Sequence, residues 1–267
     1  LDYLDLPKSY HGKGGVLVGY RVPITFPKKE VDLDPYVLGY WLGDGTSATS
    51  QITTEEIEVV NYFKSYAESK NCILHQGKDI PTGRNSLHYS FSGKKIDNKR
   101  TQNIVLKQLQ KLNLIKNKHI PHDYKCNDRK TQLELLAGII DSDGSSICNS
   151  YDIIQKNERL LDDIIFIARS LGFAAYKSVC KKSCMYKGEK KEGTYYRTCI
   201  HGKGLDEIPV KCLRKKVEPR RQIKDALNTR IRLEKLDIDD YYGFEIDGNH
   251  RFVLGGYTVT HNTIMAL

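Results

Sequence analysis

The nine residues Leu136–Gly144 read LAGIIDSDG, and a related stretch, VLGYWLGDG, occupies Val37–Gly45. Each copy places two small residues four positions apart among apolar neighbours and ends in Asp-Gly. Such small residues form a flat helix face against which a second helix can pack closely. The apolar remainder predicts that both helices are buried. If the helices lie side by side about a pseudo-two-fold axis, Asp44 and Asp143 meet at one end.

Two carboxylates held together in a buried interface repel each other, and their pKa values rise. A divalent cation removes this repulsion, and oxygen ligands suit Mg²⁺. A carboxylate-metal cluster that faces a basic surface is an arrangement for hydrolysing phosphodiesters. The alternative is that each Asp-Gly only ends a helix, with glycine as a left-handed cap. Two copies that open two similar halves favour the metal site.

The segments around the two copies repeat in the same order, which predicts two related units at residues 32–130 and 131–235. Asp34 and Pro35 are the expected cap and first residue of the first helix. The expected helices are Tyr36–Leu42, Thr53–Lys70, Gln102–Leu114, Thr131–Asp141 and Glu158–Leu171. The expected strands are Ser50–Ile52, Cys72–Gln76, Leu87–Ser92, Ser145–Gln155, Ala174–Lys181 and Tyr195–Ile200. Short strands are expected outside the two units at Val16–Val22, Tyr242–Ile246, Phe252–Leu254 and Tyr257–Thr260.

The composition excludes several classes of protein. The chain has 267 residues, 39% of them hydrophobic, and a net charge of +9, unlike disordered, collagen-like or coiled-coil chains. An apolar run long enough to span a bilayer is missing, so we expect no membrane partner. The seven cysteines are an odd, scattered set, which favours a reducing, intracellular compartment. The first residue is Leu, so the chain looks like a piece of something longer.

The basic residues crowd three stretches, at 93–100, 107–130 and 177–232, and tyrosines are interleaved in the last. This pattern is typical of a surface that binds a polyanion such as nucleic acid. A solvated basic face explains the same distribution equally well. The charge pattern alone leaves both interpretations open.

The motif pair resembles the two dodecapeptide motifs of LAGLIDADG homing endonucleases. The resemblance implies an α+β fold of two pseudo-symmetric αββαββα halves, whose sheets lie on the major groove of double-stranded DNA. It assigns Asp44 and Asp143 as ligands of Mg²⁺ or another divalent cation at a centre that cuts both strands. It also implies a monomer with internal pseudo-two-fold symmetry and a long asymmetric DNA site. Basic residues from each half would assist catalysis.

Candidates for these basic residues follow from the same resemblance. The Lys-x-Ile-Pro segment of intein endonucleases corresponds to Lys118-His119-Ile120-Pro121, which assigns a catalytic role to Lys118. For the second half we favour Lys216, with Lys211 as the fallback because it follows Ile208-Pro209. The alternative for each lysine is a solvated surface residue. The expected DNA contacts are Lys181, Lys182, Arg197, Arg214 and Lys215.

The C-terminal segment carries a second possible chemistry, since Tyr257–Thr263 ends in His-Asn-Thr. An asparagine amide can attack its own carbonyl and break the chain after Asn262, with His261 protonating the leaving amine. Thr263 can accept an acyl group. The segment resembles the C-terminal splice junction of inteins, and His250 matches a histidine that helps the asparagine to cyclise.

This second resemblance implies that the two halves are inserted in an incomplete all-β Hint (splicing) fold. Residues 1–31 and 236–262 would be its N-terminal tail and C-terminal part, and residues 263–267 would begin the host protein. A first-residue Cys or Ser and a Thr-x-x-His segment are missing before residue 31, so we expect that this chain alone does not splice. The last five residues would suit the helix that follows a P-loop, so one interpretation is that the host protein is an ATPase.

Two alternatives to an active endonuclease remain from the sequence. One is a degenerate insertion that folds and binds DNA without cutting it. The other is an RNA-splicing maturase of the same fold. The possible splice junction disfavours the maturase, because a maturase needs no such junction.

Overall fold

The computed structural model describes residues 5–10, 18–78, 85–96, 99–186, 189–219, 224–231, 237–240 and 244–261. A short strand, β1 (Val18–Tyr20), precedes the first of two α/β units. The first unit contains, in chain order, α1 (Pro35–Asp44), β2 (Gln51–Thr53), α2 (Ile57–Ser69), β3 (Cys72–Lys78), β4 (Asn85–Gly93), the hairpin β5 (Lys95–Ile96) and β6 (Lys99–Arg100), and α3 (Ile104–Lys111). A short helix, α4 (His122–Lys125), leads to the second unit.

The second unit begins with the longest described helix of the molecule and continues into a four-stranded sheet. Its elements are α5 (Arg129–Asp143), β7 (Gly144–Ile147), β8 (Ser150–Gln155), α6 (Glu158–Ser170), β9 (Ser178–Tyr186) and β10 (Glu189–Ile200). Two 3₁₀ turns follow at Leu205–Glu207 and Leu213–Lys215. The remaining strands are β11 (Asn228–Arg230), β12 (Arg251–Val253) and β13 (Val259–His261).

Each unit has one antiparallel sheet, with strand order β2-β4-β3 in the first and β7-β8-β10-β9 in the second. The two units are therefore related but unequal. The strand that β7 forms in the second unit is reduced in the first to a single bridge between Gly45 and Ile52. The helix α3 that ends the first unit is replaced in the second by the two 3₁₀ turns. The expected αββαββα order is thus incomplete in both units, since, among the described residues, the first lacks its first strand and the second lacks its last helix.

The helices α1 and α5 pack against each other and carry the two motifs. A Cβ at Gly39 would collide with the carbonyl oxygen of Leu135, and one at Gly138 with the carbonyl oxygen of Tyr36. Only glycine allows backbones to approach so closely. The expected small-residue face is therefore the helix–helix contact.

Both motif helices begin at an aspartate that caps them. The Asp34 carboxylate accepts a hydrogen bond from the Val37 amide at 3.0 Å, and Asp128 does the same for Thr131 at 3.1 Å. Such caps satisfy amides that the helix itself leaves free. The Asp34 cap with Pro35 as the first helical residue agrees with the sequence prediction. The α5 helix begins at Arg129, two residues before the predicted Thr131.

The outer helices and the sheets close the core around this helix pair. In the first unit Tyr36, Tyr40 and Phe91 surround the buried ring of Phe63. In the second unit the α6 helix buries an apolar face whose members include Leu161 and Ile164. Both sheets therefore have one face against helices and one face open.

Segments from outside the two units contact each other and the C-terminal end of the second unit. Strand β1 pairs with β11, β12 pairs with β13, and Arg21 forms a bridge with Thr258. The Phe26 ring stacks on Phe166 of α6 at 6.2 Å, and Tyr257 lies 5.1 Å from the same ring. Of the expected strand Tyr242–Ile246, residues 244–246 are not in a strand, and the others lie outside the described residues.

No helix in the part of the chain that the structure describes combines the length and the apolar character needed to cross a membrane.

Candidate active site

The structure brings the two motif aspartates to the adjoining ends of the helix pair. Asp44 is the last residue of α1, and Asp143 is the last residue of α5. A Cβ added at Gly43 would lie 3.2 Å from the carboxylate carbon of Asp143. The crossing at Gly39 and Gly138 therefore continues to the ends of both helices, and this places the two carboxylates in one site.

The glycines after these aspartates do not act as left-handed caps. Gly45 has φ −82° and Gly144 has φ −89°, so both continue in extended backbone. A Cβ at Gly144 would lie 2.8 Å from the Ile140 carbonyl oxygen, and Gly45 is similarly close to Trp41. The alternative interpretation of Asp-Gly as a left-handed helix end is therefore wrong, because these glycines are required for close approach to the preceding turn.

Burial and mutual repulsion disfavour ionisation of the two aspartates. Desolvation, together with the nearby charge of Asp143, raises the pKa of Asp44 from 3.8 to about 6. Burial also raises the pKa of Asp143, although a hydrogen bond at 2.6 Å from the Gln155 amide to Asp143 Oδ2 opposes this shift. The site therefore favours a positive partner for the pair, as the sequence predicts.

Lys118 reaches this site from the segment that follows α3. Its Nζ donates to the carbonyl oxygens of Gly43 at 3.0 Å and Gly45 at 2.7 Å, and lies 5.1 Å from the Trp41 ring. Burial lowers the pKa of Lys118 to about 8, while the charges of Asp143 and Asp44 oppose the shift. A cation here also complements the negative end of the α1 helix dipole.

Lys215 occupies the corresponding position at the end of α5. Its Nζ donates to the carbonyl oxygens of Ile140, Asp141 and Ser142 at 2.9, 2.7 and 3.3 Å. The residue is only 3% exposed, and burial lowers its pKa. The expectation that Lys215 contacts DNA is corrected by this burial. Lys215 is instead the counterpart of Lys118.

The two other lysines proposed for the second half lie elsewhere. Lys216 is exposed and lines a cavity with Tyr151 and Asp206, because the 3₁₀ turn Leu213–Lys215 directs the preceding lysine inward. The Nζ of Lys211 lies 3.8 Å from the Tyr62 ring centroid, packed on an aromatic face. The structure therefore brings Lys215, and neither the predicted Lys216 nor the fallback Lys211, to the aspartates.

The Lys118 segment is held by residues of the second unit, which sequence reasoning missed. The Ile120 amide donates to Asp163 Oδ2 at 3.1 Å, and Lys125 Nζ donates to the other oxygen of Asp163 at 2.7 Å. Asn157, the cap of α6, donates its side-chain amide to the Lys118 carbonyl oxygen at 2.8 Å. The sequence signal was a buried Asp on the apolar face of α6.

The Lys215 segment is held in a comparable way by Asp141, also missed. This carboxylate accepts from the Lys211 amide at 2.6 Å, the Cys212 amide at 3.3 Å and the Tyr36 hydroxyl at 2.7 Å. Arg214, expected as a DNA contact, donates to Glu56 at the start of α2 in the first unit. A charged residue within the otherwise apolar motif was the available signal for Asp141.

The sheet of the second unit separates the remaining expected DNA contacts by face. Thr198 and Ile200 of β10 are buried against the helices, so Arg197 lies on the open face. The register pairs Arg197 with Ser178, and Lys182 then shares that open face. Lys181, paired with Thr194, lies on the opposite face, so the two adjacent lysines cannot contact the same surface. The Arg197 guanidinium bonds Asp152 at 2.6 Å.

The C-terminal site residues are only partly described. His261 ends β13 and pairs with Arg251, and His250 directly precedes Arg251 with φ 55°. The positions Asn262 and Thr263 lie outside the described residues. The hairpin therefore carries both histidines: His261 is a member of the pair with Arg251, and His250 is the residue next to Arg251.

The aspartate pair suits a hard divalent cation shared with a phosphate ligand. Among the described residues there is no group of three or more His, Cys, Asp and Glu side chains able to hold a metal. Mg²⁺ commonly uses only one or two carboxylates and takes its other oxygens from water and substrate phosphates. The donor set of Asp44 and Asp143 fits this second kind of site.

Residues 119–223 match the family model described as homing endonuclease. The matched segment begins directly after Lys118 and contains the second motif and Lys215. Among curated proteins, the chain is 25% identical over 295 residues to the homothallic switching endonuclease of Saccharomyces cerevisiae, covering 96% of this chain and 50% of that protein. It is 28% identical over 156 residues to the replicative DNA helicase DnaB of Mycobacterium intracellulare, covering 58% and 22%.

The chain therefore spans half or less of the length of these two relatives. Solved structures of the homing endonuclease I-DmoI also match. A study of its mesophilic variants gives a TM-score of 0.41 at 14% identity, covering 63% of this chain and 87% of that chain. A complex of I-DmoI with DNA and calcium gives 0.38 at 14% identity, covering 63% and 82%.

Proposed function

We propose that this chain is a site-specific DNA endonuclease of the LAGLIDADG type, which hydrolyses phosphodiesters in both strands of double-stranded DNA. The observation that supports this function best is the convergence of Asp44 and Asp143 at the end of the helix pair. A lysine is docked beside each of them, half-buried Lys118 at the end of α1 and buried Lys215 at the end of α5. The switching endonuclease and the family match are independent support.

A divalent cation such as Mg²⁺, held by the two carboxylates, would act as a Lewis acid toward the scissile phosphate. Lys118 and Lys215 then have different roles. Lys215 donates three hydrogen bonds to carbonyl oxygens, whereas Lys118 donates two and has one N–H left for a water or a phosphate oxygen. With its pKa lowered to about 8, Lys118 can move a proton near neutral pH. Lys215 neutralises the site and fixes the helix end.

The DNA would lie across the open faces of the two sheets. Lys182 and Arg197 supply positive charge on the second sheet, and Arg197 keeps donors beyond the one that bonds Asp152. The first sheet presents uncharged polar groups and two imidazoles on its open face, from Gln51, Thr53, His75, His88 and Ser90. Unequal faces suit a monomer that reads a long asymmetric site.

A cleavage selection tests this function without knowledge of the site. The protein is incubated with Mg²⁺ and plasmids that carry random inserts, and linear products are sequenced. We expect a discrete set of cleaved sites, lost in Asp44→Asn and in Asp143→Asn. Binding without cleavage would instead support the degenerate DNA-binding insertion. Binding to RNA alone would support the maturase.

A second candidate function, splice-junction chemistry, is favoured by the arrangement of the outer segments. The bridge between Arg21 and Thr258 joins the predicted N-terminal and C-terminal parts of a splicing fold. The helicase match covers only 22% of that protein, so a related segment occurs within a longer chain. We infer that Asn262 cyclises with help from His261 and His250, and that Thr263 begins the flanking host sequence.

Mass spectrometry of the incubated chain tests this chemistry. Release of the last five residues, blocked by Asn262→Ala and slowed by His250→Ala, is the expected result. An intact chain at all times would contradict it. We also propose a reducing intracellular compartment, in keeping with free thiols at Cys72, Cys126, Cys180 and Cys212.

A further inference from the structure

Arg21 is a buried cation whose hydrogen bonds are incomplete. It is only 8% exposed, and its Nε and Nη1 atoms have no hydrogen-bond partner among the residues that the structure describes. Its main-chain amide is satisfied by the Leu227 carbonyl oxygen, so the backbone position is fixed and the guanidinium alone lacks partners. A buried charge with unmade hydrogen bonds is costly and indicates a missing ligand or ion.

A second guanidinium lies on the same aromatic ring. Arg21 Cζ is 4.9 Å and Arg169 Cζ is 5.5 Å from the centroid of Tyr176. Arg169 spends Nε on the Ala175 carbonyl oxygen at 2.9 Å. Burial lowers the pKa of Arg169, and the charge of Arg21 lowers it further, so the two cations are close enough to repel.

This pair of cations lacks a close counter-ion. Within the described ranges, neither guanidinium lies within 4.0 Å of a carboxylate oxygen. The acidic group that acts on Arg169 at longer range is Asp162, which already bonds Lys177 at 2.9 Å. The Tyr257 side chain also raises the pKa of Arg169, but it is not a carboxylate. Two positive charges, buried Arg21 and half-buried Arg169, therefore lie on one ring, and Arg21 has donors without partners among the described residues.

The approach to this pocket is open on one side. A Cβ placed at Gly256 would lie 3.7 Å from Arg169 Nη1, and one placed at Gly255 would meet nothing within 4 Å. Tyr176 is itself exposed. A small ligand can therefore reach the guanidinium edges beside the turn that joins β12 and β13.

We propose that Arg21 and Arg169 form a binding site for a phosphate-type oxyanion. Such an anion carries enough charge for two guanidinium groups, and its oxygens accept the paired N–H groups that a guanidinium presents. Bound there, it links the strand of Arg21, the end of α6 and the C-terminal hairpin. The phosphate comes either from solution or from the backbone of bound DNA.

Thermal unfolding in an anion-poor buffer tests the site independently of any nuclease activity. Inorganic phosphate raises the Tm of the unmodified chain by several degrees, while acetate and chloride at equal ionic strength do not. The shift is lost in Arg21→Gln and in Arg169→Gln. Arg159→Gln keeps it, because this exposed arginine lies on the same helix about 15 Å away. Arg169→Gln decides the matter if Arg21→Gln fails to fold.

Equal phosphate shifts in all four proteins, or none in the unmodified chain, would overturn the proposal. The salt dependence of DNA affinity then identifies the source of the phosphate. A slope of log affinity against log salt that falls by about one in both arginine variants assigns a DNA phosphate. An unchanged slope, with the phosphate shift still lost, assigns phosphate from solution.

Discussion

At the scale of single residues, burial disfavours the charged form of each of the four ionisable groups in the site. Burial raises the pKa values of Asp44 and Asp143 and lowers those of Lys118 and Lys215. Each lysine lies against the carbonyl end of a motif helix. The lysines offset the carboxylate charge only in part, so the balance of the site depends on what binds to it.

The pH dependence of stability reports this imbalance directly. Because the folded state raises the pKa of Asp44 from 3.8 to about 6, its contribution to stability is present below pH 4 and lost as the pH rises through 6. We expect Asp44→Asn to have a higher Tm than the metal-free unmodified chain at pH 7, with the difference vanishing near pH 4. Mg²⁺ should raise the Tm at pH 7 only when Asp44 is present. A constant difference between the two proteins across this range would contradict the proposed burial of charge.

The lysines give a second prediction at this scale. Replacing Lys118 or Lys215 with Met should lower the cleavage rate constant by at least about 100-fold, since each change removes a cation that lies beside the aspartate pair. Lys216→Met is the matched control, because Lys216 is adjacent in sequence but exposed. Its rate should stay within about 2-fold of the unmodified chain. Single-turnover cleavage of one selected site measures all three variants.

Sequence reasoning located three of these four residues. Asp44, Asp143 and Lys118 lie in recognisable local motifs, whose spacing or neighbours define their roles. Lys215 lies in a run of Arg214-Lys215-Lys216 within a 3₁₀ turn, and side-chain directions in such a turn depend on how it packs. The carboxylate of Asp141, which fixes that turn, acts across about 70 residues of chain. Sequence periodicity cannot detect such a contact.

At the scale of secondary-structure elements, the α1–α5 crossing determines the spacing of Asp44 and Asp143. The backbones touch at Gly39 and Gly138, where no side chain separates them. This crossing was predictable, because small residues at fixed spacing in an apolar helix have few other uses. The reduction of the first strand to the Gly45–Ile52 bridge was not, since strand pairing depends on the partner across the sheet.

Closing the gap at the crossing should be costly. Gly39→Ala places a methyl group against the Leu135 carbonyl oxygen, so the helices must move apart. We expect a loss of at least about 2 kcal/mol in the free energy of unfolding, from overpacking of a dense contact. Gly255→Ala, where a methyl group meets no atom within 4 Å, should change it by less than about 0.5 kcal/mol. Urea unfolding followed by circular dichroism gives both values.

The contact between α6 and the Lys118 segment offers another test. Asp163→Ala removes the acceptor of the Ile120 amide and leaves Lys125 without its partner. A loss of about 3 kcal/mol in unfolding free energy is expected, because a largely buried ion pair is broken. Asp162→Ala removes an exposed pair with Lys177 from the same helix and should cost under about 1 kcal/mol. Similar costs for both variants would show that Asp163 does not anchor the segment.

At the scale of the whole molecule, the two units present unequal surfaces. The open face of the second sheet carries Lys182 and Arg197, whereas that of the first is largely uncharged among its described residues. The net charge of +9 showed only that a polyanion was a reasonable partner. The strand register was needed to decide which basic residues share a face.

DNA affinity should reflect this register. Lys182→Gln should lower the slope of log affinity against log salt by about one, because one phosphate contact is lost. Lys181→Gln changes the same charge one residue away but on the other face of β9, so its slope should match that of the unmodified chain. Fluorescence anisotropy with a labelled duplex at several salt concentrations measures both. Equal effects would mean that total charge, and not the open face, controls binding.

The hydrogen bonds between the two units limit how such proteins can be recombined. Asn157 and Asp163 of the second unit bond the Lys118 segment of the first, and Arg214 of the second unit bonds Glu56 of the first. A hybrid made by joining one unit to a half from another nuclease would therefore inherit a misplaced lysine at the junction. An exchange of halves that is meant to change target specificity should therefore succeed only when the contacts of Asn157, Asp163, Arg214 and Glu56 are all retained in the hybrid.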